Sequence, residues 1–318
     1  MVDRSVTHEV WSERVRRPDF FIVGAPKSGT TALYEYLKPH PDIFMPEMKD
    51  VSFFGSDLQF NMPRINLKKY LAAYEPVRNE KRVGEASVWY LYSKCAAAEI
   101  KEFSPSASII IMLRNPVEMM YAQHSEFLYN CNENISDFAR ALEAEAERKR
   151  GLRIPASAHL VQGLFYRDTA RYSEQVARYL DRFGRANVHV IIFDDFKRDT
   201  QAVFRETLEF LNVDPDIPLK PRIVNPNKVV RSRRFQEFLA SPPRRLIAAY
   251  EAITPNTMHG RVHRLLRRLN TRYQQRPPLS PELRRRLQME FAPEIQRLSD
   301  LLGRDLTNWT LDGNRSEG

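Results

Sequence analysis

Residues 20–37 read FFIVGAPKSGTTALYEYL, and this stretch decides the fold. Residues 19–23, apolar from Phe20 onward, predict a buried strand. The turn G-A-P-K-S-G-T-T, Gly24 to Thr31, ends it, and the apolar spacing beyond predicts a helix over about 30–37, stopped before Pro39 and Pro41. A strand that feeds a glycine-containing turn into a helix aims backbone N–H groups and the positive end of the helix dipole at one point. The turn therefore favours a phosphate-like anion, with Ser28, Gly29, Thr30 and Thr31 supplying backbone and hydroxyl donors. Its frame is that of the P-loop G-x-x-x-x-G-K-[ST]. Here, however, Thr30 follows the second glycine, and the turn's lysine, Lys27, stands three positions earlier.

Outward from this turn the chain alternates strand and helix patterns. ASIIIMLRNP (107–116) is apolar on both faces, as a central parallel strand requires, and NVHVIIFDDF (187–196) is a second buried strand. KRVGEASVWYLY (81–92) has a β-prone start, and residues 44–66 read as loop. Helical spacing marks 117–130, the charged alanine-rich 135–150, 167–184 ending at Gly184, and 200–213. The pattern predicts an α/β fold: a central, mostly parallel sheet flanked by helices, with a P-loop-like turn. After about residue 216 the β signal fades into a basic, helical C-terminal part. We expect a polar extension over 1–17, one domain over 18–310 and a polar tail over 311–318.

Composition narrows the function classes. The 318 residues are 42% hydrophobic and 28% charged, enough for a full core in a soluble chain. No run approaches the ~18 apolar residues that span a bilayer, and the N-terminus lacks a secretory apolar region. Cys95 and Cys131 lack metal-type spacing, so a reducing, cytoplasmic setting without a metal is expected. Net charge is +9, concentrated between Arg231 and Arg286, where 14 Arg and no Lys face 3 Glu and no Asp. That block suggests an anionic partner or a solvated helix face. Leu265, Leu266 and Leu269 within it read as a core-facing stripe, without the interleaved aromatics that stack on bases, so nucleic acid is not expected as a partner.

P-K-S-G-T-T after F-I-V-G resembles the phosphosulfate loop of the sulfotransferases that use 3′-phosphoadenylyl sulfate (PAPS). K-P-H-P-D-I-F-M-P-E-M-K-D-V-S-F-F (38–54), L-R-N-P-V-E (113–118) and L-L-G-R-D-L-T-N-W (301–309) resemble further segments of the bacterial and heparan-type branch, in the same order over roughly residues 18–310. The resemblance implies transfer of a sulfuryl group from PAPS, leaving adenosine 3′,5′-bisphosphate, to a hydroxyl or amine of a carbohydrate, lipid or small-metabolite acceptor. It places Arg114 on the nucleotide 3′-phosphate, where a planar guanidinium can bond two oxygens. The family's serine eight residues later is Ala122 here, and Ser125 stands a helical turn further on. N-P-N-K-V-V-R-S-R-R (225–234) resembles a loop that closes on the same phosphate, through Lys228, Arg231 and Arg233. Tyr166 in G-L-F-Y-R matches a tyrosine near the nucleotide, or is a plain core tyrosine.

For chemistry, Lys27 meets the charge that builds on the departing phosphate oxygen. The resemblance of G-E-A-S-V-W-Y (84–90) puts Glu85 in the place of the general base; a surface or salt-bridged carboxylate is the alternative. Ala86 stands where relatives often carry a lysine, with Lys49 as a substitute helper. Trp89, Tyr90, Tyr92, Phe127 and Tyr129 are candidate acceptor contacts. Two rival readings stay open: a P-loop kinase or NTPase, with Asp194 and Asp195 as distant metal candidates, and a non-catalytic binder of anionic polymer acting through the arginine block.

Overall fold

The structure is a computed structural model that describes residues 16–219, 228–240, 265–266 and 268–310. In chain order the elements are β1 (Phe20–Gly24), α1 (Thr30–Leu37), β2 (Ile43–Phe44), α2 (Leu67–Ala72), β3 (Arg82–Ala86), α3 (Ala96–Phe103) and β4 (Ser108–Leu113). Then come α4 (Pro116–Tyr129), α5 (Phe138–Glu143), α6 (Glu145–Lys149), α7 (Tyr166–Thr169), α8 (Tyr172–Phe183), β5 (Val188–Ile192), α9 (Phe193–Arg198) and α10 (Thr200–Phe210). β6 (Lys228–Val230), α11 (Arg233–Ala240), β7 (Thr271–Tyr273) and α12 (Pro281–Leu302) follow.

Two compact units emerge, one from residues 16–57, 63–114 and 174–219, the other from 58–62, 115–173 and the described residues beyond 223. The chain crosses between them five times, so neither unit is a contiguous segment, and no linker composition marks a boundary.

The first unit holds a five-stranded sheet in the order β2-β3-β1-β4-β5, every pair parallel. β1 and β4 are buried at every residue, which explains their unbroken apolar sequences. Side chains alternate across a strand. Phe20 and Ile22 enter a core with Leu33 and Leu37 of α1 and Phe204 and Leu208 of α10. Each such fully buried apolar side chain contributes about 1.5–3 kcal/mol relative to exposure. Gly84 must be a glycine there, because a Cβ would lie 2.2 Å from Phe20 Cζ and 2.4 Å from the Met45 sulfur. Phe21 turns to the other face, against Phe54 with ring centroids 5.9 Å apart. Phe54 in turn meets Tyr70, Tyr90 and Phe103 edge-on. Register puts Glu85 opposite Phe21, hence on this aromatic face.

The second unit is mostly helical. Asn115 caps α4, accepting from the Val117 N–H at 3.0 Å, with Pro116 at the first helical position. Glu133 and Arg148 form an ion pair with both side chains 0% exposed, two bonds of 2.7 and 2.8 Å joining them. The Asn134 and Ile135 N–H groups also donate to Glu133, each at 2.8 Å. Burial would raise the Glu133 carboxyl, but Arg148, these amides and Tyr166 outweigh it and hold it below the usual range.

The mostly parallel sheet with flanking helices and a helical C-terminal part is as expected, and α1 and β4 fall where the pattern puts them. Four local readings differ. The strand expected over 187–196 ends at Ile192, because Asp194 and Asp195 favour the start of a helix, α9. Residues 135–150 form two short helices, the first capped by Asp137, rather than one. The basic C-terminal part contains a small antiparallel pair, β6 with β7. Leu265 and Leu269 are 56% and 63% exposed instead of facing a core; the chain there is held by Asn270, whose side chain bonds the Ser232 carbonyl and Gln236. Among the described residues, no helix is long and apolar enough to cross a membrane.

Candidate active site

The carboxyl edge of a parallel sheet is where ligands of open α/β folds sit, and in the first unit the chain leaves β1, β3, β4 and β5 along that edge. After β1 the turn climbs through Lys27, in the left-handed region at φ 58, to Gly29 at φ 94, the N-cap of α1. No side chain caps α1; the Ala32 N–H bonds the Gly29 carbonyl at 2.9 Å, and the N–H groups of Thr30 and Thr31 ahead of it are placed for another acceptor. Gly29 is held by the protein on its far side: a Cβ there would stand 3.0 Å from the Phe193 ring and 3.2 Å from Met112 Cε. Ser28 is fully buried and its hydroxyl donates to the Pro26 carbonyl at 3.3 Å, so what it offers the turn is backbone. Thr30 is buried, whereas Thr31 and Lys27 are half-buried.

Arg114 reaches the same turn from β4. Its Nη1 donates to the Lys27 carbonyl at 3.3 Å, and its guanidinium carbon lies 5.0 Å from the Phe193 ring centroid. Strand register explains the pairing: Leu113 is opposite Ile192, so Arg114 and Phe193 leave their strands side by side. Lys27, Gly29 and Arg114 are thus brought together, with Phe193 as a member of the cluster that sequence reasoning passed over. The signal available was its position directly after a buried parallel strand.

Glu85 sits elsewhere on the sheet, 1% exposed. Its Oε2 accepts from the Tyr70 hydroxyl, and its Oε1 from Tyr90 at 2.5 Å and Ser87 at 3.0 Å. Burial pushes the carboxyl up to about 7, even though these three hydroxyls pull the other way. A proton acceptor working near neutral pH needs such a value, and Glu85 is not the salt-bridged carboxylate of the alternative reading. Tyr90 is fully buried, so it is a partner of Glu85 and not an exposed acceptor contact. Lys49 pairs with Asp50 at 3.0 Å, and Asp50 accepts from the Val88 N–H at 3.1 Å.

In the second unit, Tyr166 is fully buried and donates to Glu133 Oε2 at 2.9 Å, the arrangement of a core tyrosine. Ser125 is half-buried on α4, one turn beyond the buried Ala122. Lys228 is half-buried in β6, and Arg231 and Arg233 are exposed, Arg233 donating to the Asn134 carbonyl at 3.1 Å. Tyr129 shares a 2.7 Å hydrogen bond with Thr271.

Known proteins resemble this chain over most of its length. The crystal structure of a sulfotransferase from Alicyclobacillus acidocaldarius superposes with a TM-score of 0.70 at 31% identity, covering 93% of this chain and all of the other. The membrane-associated sulfotransferase kil1 of Dictyostelium discoideum is 32% identical over 34% of this chain and 22% of its own length. Carbohydrate sulfotransferase 15 of Mus musculus is 22% identical over 71% of this chain and 49% of its own. The chain therefore spans about half or less of these two curated relatives. A sulfotransferase-domain profile matches residues 17–242, the segment that contains the phosphate-type turn, Glu85 and Arg114. The chain belongs to the sulfotransferase family.

Proposed function

We propose that this protein transfers a sulfuryl group from PAPS to a hydroxyl of a carbohydrate-type acceptor, with an amine, a lipid or a small metabolite as the other acceptor chemistries. The observation that carries the reading is the turn between β1 and α1. It offers an uncapped helix start behind a left-handed glycine, with Lys27 in the turn and Arg114 seated on its carbonyl. That donor set suits an anion that is tetrahedral and multiply charged. It lacks the lysine after the second glycine that a nucleoside-triphosphate loop uses.

PAPS would supply the activated sulfuryl group at this turn. The acceptor oxygen forms the new bond to sulfur while the bond from sulfur to the bridging phosphate oxygen breaks. Lys27 and the first-turn N–H groups, with the hydroxyls of Thr30 and Thr31, stabilise the charge left on that oxygen. Glu85 takes the proton that the acceptor loses. Arg114 holds the 3′-phosphate, and Ser125, Lys228, Arg231 and Arg233 are proposed as further donors to it on the family resemblance alone. The carbohydrate acceptor is favoured by the named activity of the mouse relative. No step in this scheme calls for a metal ion, since a sulfuryl group carries less charge than a phosphoryl group.

The test is transfer from PAPS across an acceptor panel, read by mass spectrometry, with calorimetry of adenosine 3′,5′-bisphosphate alongside. Lys27→Ala should lower turnover by about 10²–10³-fold with the fold intact. Absence of nucleotide uptake by the unaltered protein, or ATP hydrolysis without PAPS chemistry, sinks the reading.

A further inference from the structure

The two oxygens of Glu85 are not equivalent. Tyr90 donates to Oε1 and its hydroxyl oxygen accepts the N–H groups of Phe53, at 2.9 Å, and Phe54, at 3.2 Å. Ser87 also donates to Oε1 and accepts the N–H of Ser52 at 3.2 Å. Three successive amides, 52 to 54, thus fill the acceptor sides of both hydroxyls. A hydroxyl has one proton to give, and these two are turned toward Oε1 whichever charge state Glu85 is in.

Oε2 is different. It accepts from Tyr70, whose oxygen receives none of those three amides. Tyr70 can reverse, accepting from a protonated Oε2 and giving its own proton elsewhere. The Tyr74 hydroxyl is buried beside it, with ring centroids 5.4 Å apart, and its side chain interacts with that of Tyr70. The other polar groups that face Glu85 electrostatically are Asp50, from the segment after β2, and Tyr179 of α8.

We infer that Tyr90 and Ser87 are positioning residues that lock Glu85 Oε1 to the 52–54 backbone, and that Oε2, facing Tyr70, is the atom that gains and loses the proton. The inference deepens the proposed base role of Glu85 and rests on it for its catalytic meaning. It assigns unlike consequences to two tyrosines bonded to one carboxylate. Loss of the Tyr90 hydroxyl removes a donor that bonds the charged carboxylate more strongly than the neutral carboxyl's carbonyl oxygen. Loss of the Tyr70 hydroxyl removes a donor from the charged form and an acceptor from the neutral one.

The deciding measurement is a carbon-13 NMR titration of the full chain with carboxyl-labelled glutamate, the Glu85 resonance assigned by its disappearance in Glu85→Gln. No substrate enters, so the result stands even if Glu85 proves not to be the base, which transfer by Glu85→Gln reports separately. Tyr90→Phe should raise the Glu85 titration midpoint by about one pH unit, since hydrogen bonds to the charged form hold a carboxylate down. Ser87→Ala should raise it as well, and Tyr70→Phe should move it by less than about half as much as Tyr90→Phe. An equal or larger upward shift in Tyr70→Phe overturns the inference. Should Tyr90→Phe fail to fold, Ser87→Ala decides, and an unmoved midpoint there overturns it too.

Discussion

Glu85→Gln separates the stability carried by this carboxyl from its chemistry. Burial holds the Glu85 proton to about 7, against 4.5 for an ordinary glutamate. The folded chain therefore binds more protons than the unfolded chain across that interval. Stability from this group is fully present below about pH 4.5 and is lost as pH rises through about 7, the reverse of the usual salt-bridged carboxylate. A gap of about 2.5 units corresponds to about 3 kcal/mol over the whole window, of which about 2 falls between about pH 5 and about pH 7.5. Glutamine cannot titrate, so its variant lacks this slope.

The assay is urea unfolding of both proteins at those two pH values, taken as the difference between them so that every other titrating group cancels. The unaltered protein should lose about 2 kcal/mol relative to Glu85→Gln on going to the higher pH. A difference that stays constant would mean that the three hydroxyl donors outweigh desolvation and that Glu85 is ionised throughout. It would then be a poor proton acceptor near neutrality, and the base role would lose its physical support. Transfer activity of the same variant completes the test: with the base role, Glu85→Gln nearly abolishes turnover while nucleotide uptake survives.

Three further outcomes are expected. Arg148→Met should cost about 3–5 kcal/mol in urea unfolding, because it leaves Glu133 buried and ionised, and Arg148→Met with Glu133→Gln should recover much of that. The Glu133 contribution runs opposite to that of Glu85, since its carboxyl is held down: it is present above the ordinary glutamate range and lost on acidification. Gly84→Ala should cost about 1–3 kcal/mol by overpacking Phe20 and Met45, read as a lowered Tm with the nucleotide affinity of the folded fraction unchanged. Gly29→Ala combines a left-handed φ of 94 with a 3.0 Å approach to Phe193, and should weaken binding of adenosine 3′,5′-bisphosphate more than it lowers Tm.

What could be read from the sequence was what lies within one continuous segment. The β1–turn–α1 unit is eighteen consecutive residues whose apolar run, glycines and single proline each have a local meaning, and the structure places α1 at Thr30–Leu37 as that pattern requires. Arg114 was legible for a related reason: it ends an unmistakable buried strand, and parallel sheets bring such ends to one edge. The surroundings of Glu85 had no such signal. Its partners are Tyr70, Ser87 and Tyr90, the last two held in turn by the 52–54 amides, across a segment in which α2 is only six residues long and the intervening chain is irregular. Nothing in a six-residue helix reveals that Tyr70, and not a neighbour, will meet a carboxylate fifteen positions away. The alternatives offered for Glu85 from sequence, base or salt-bridged carboxylate, assumed that a glutamate must be charged. A carboxyl held near 7 by burial on an aromatic sheet face is neither reliably charged nor paired with a cation. That state depends on Phe21, Phe53, Phe54 and Tyr70 packing together in three dimensions, with Phe53 stacked on Tyr70 at 4.3 Å between ring centroids. Tyr90, which looks in sequence like an acceptor contact, is here a buried hydroxyl partner that helps tune a proton.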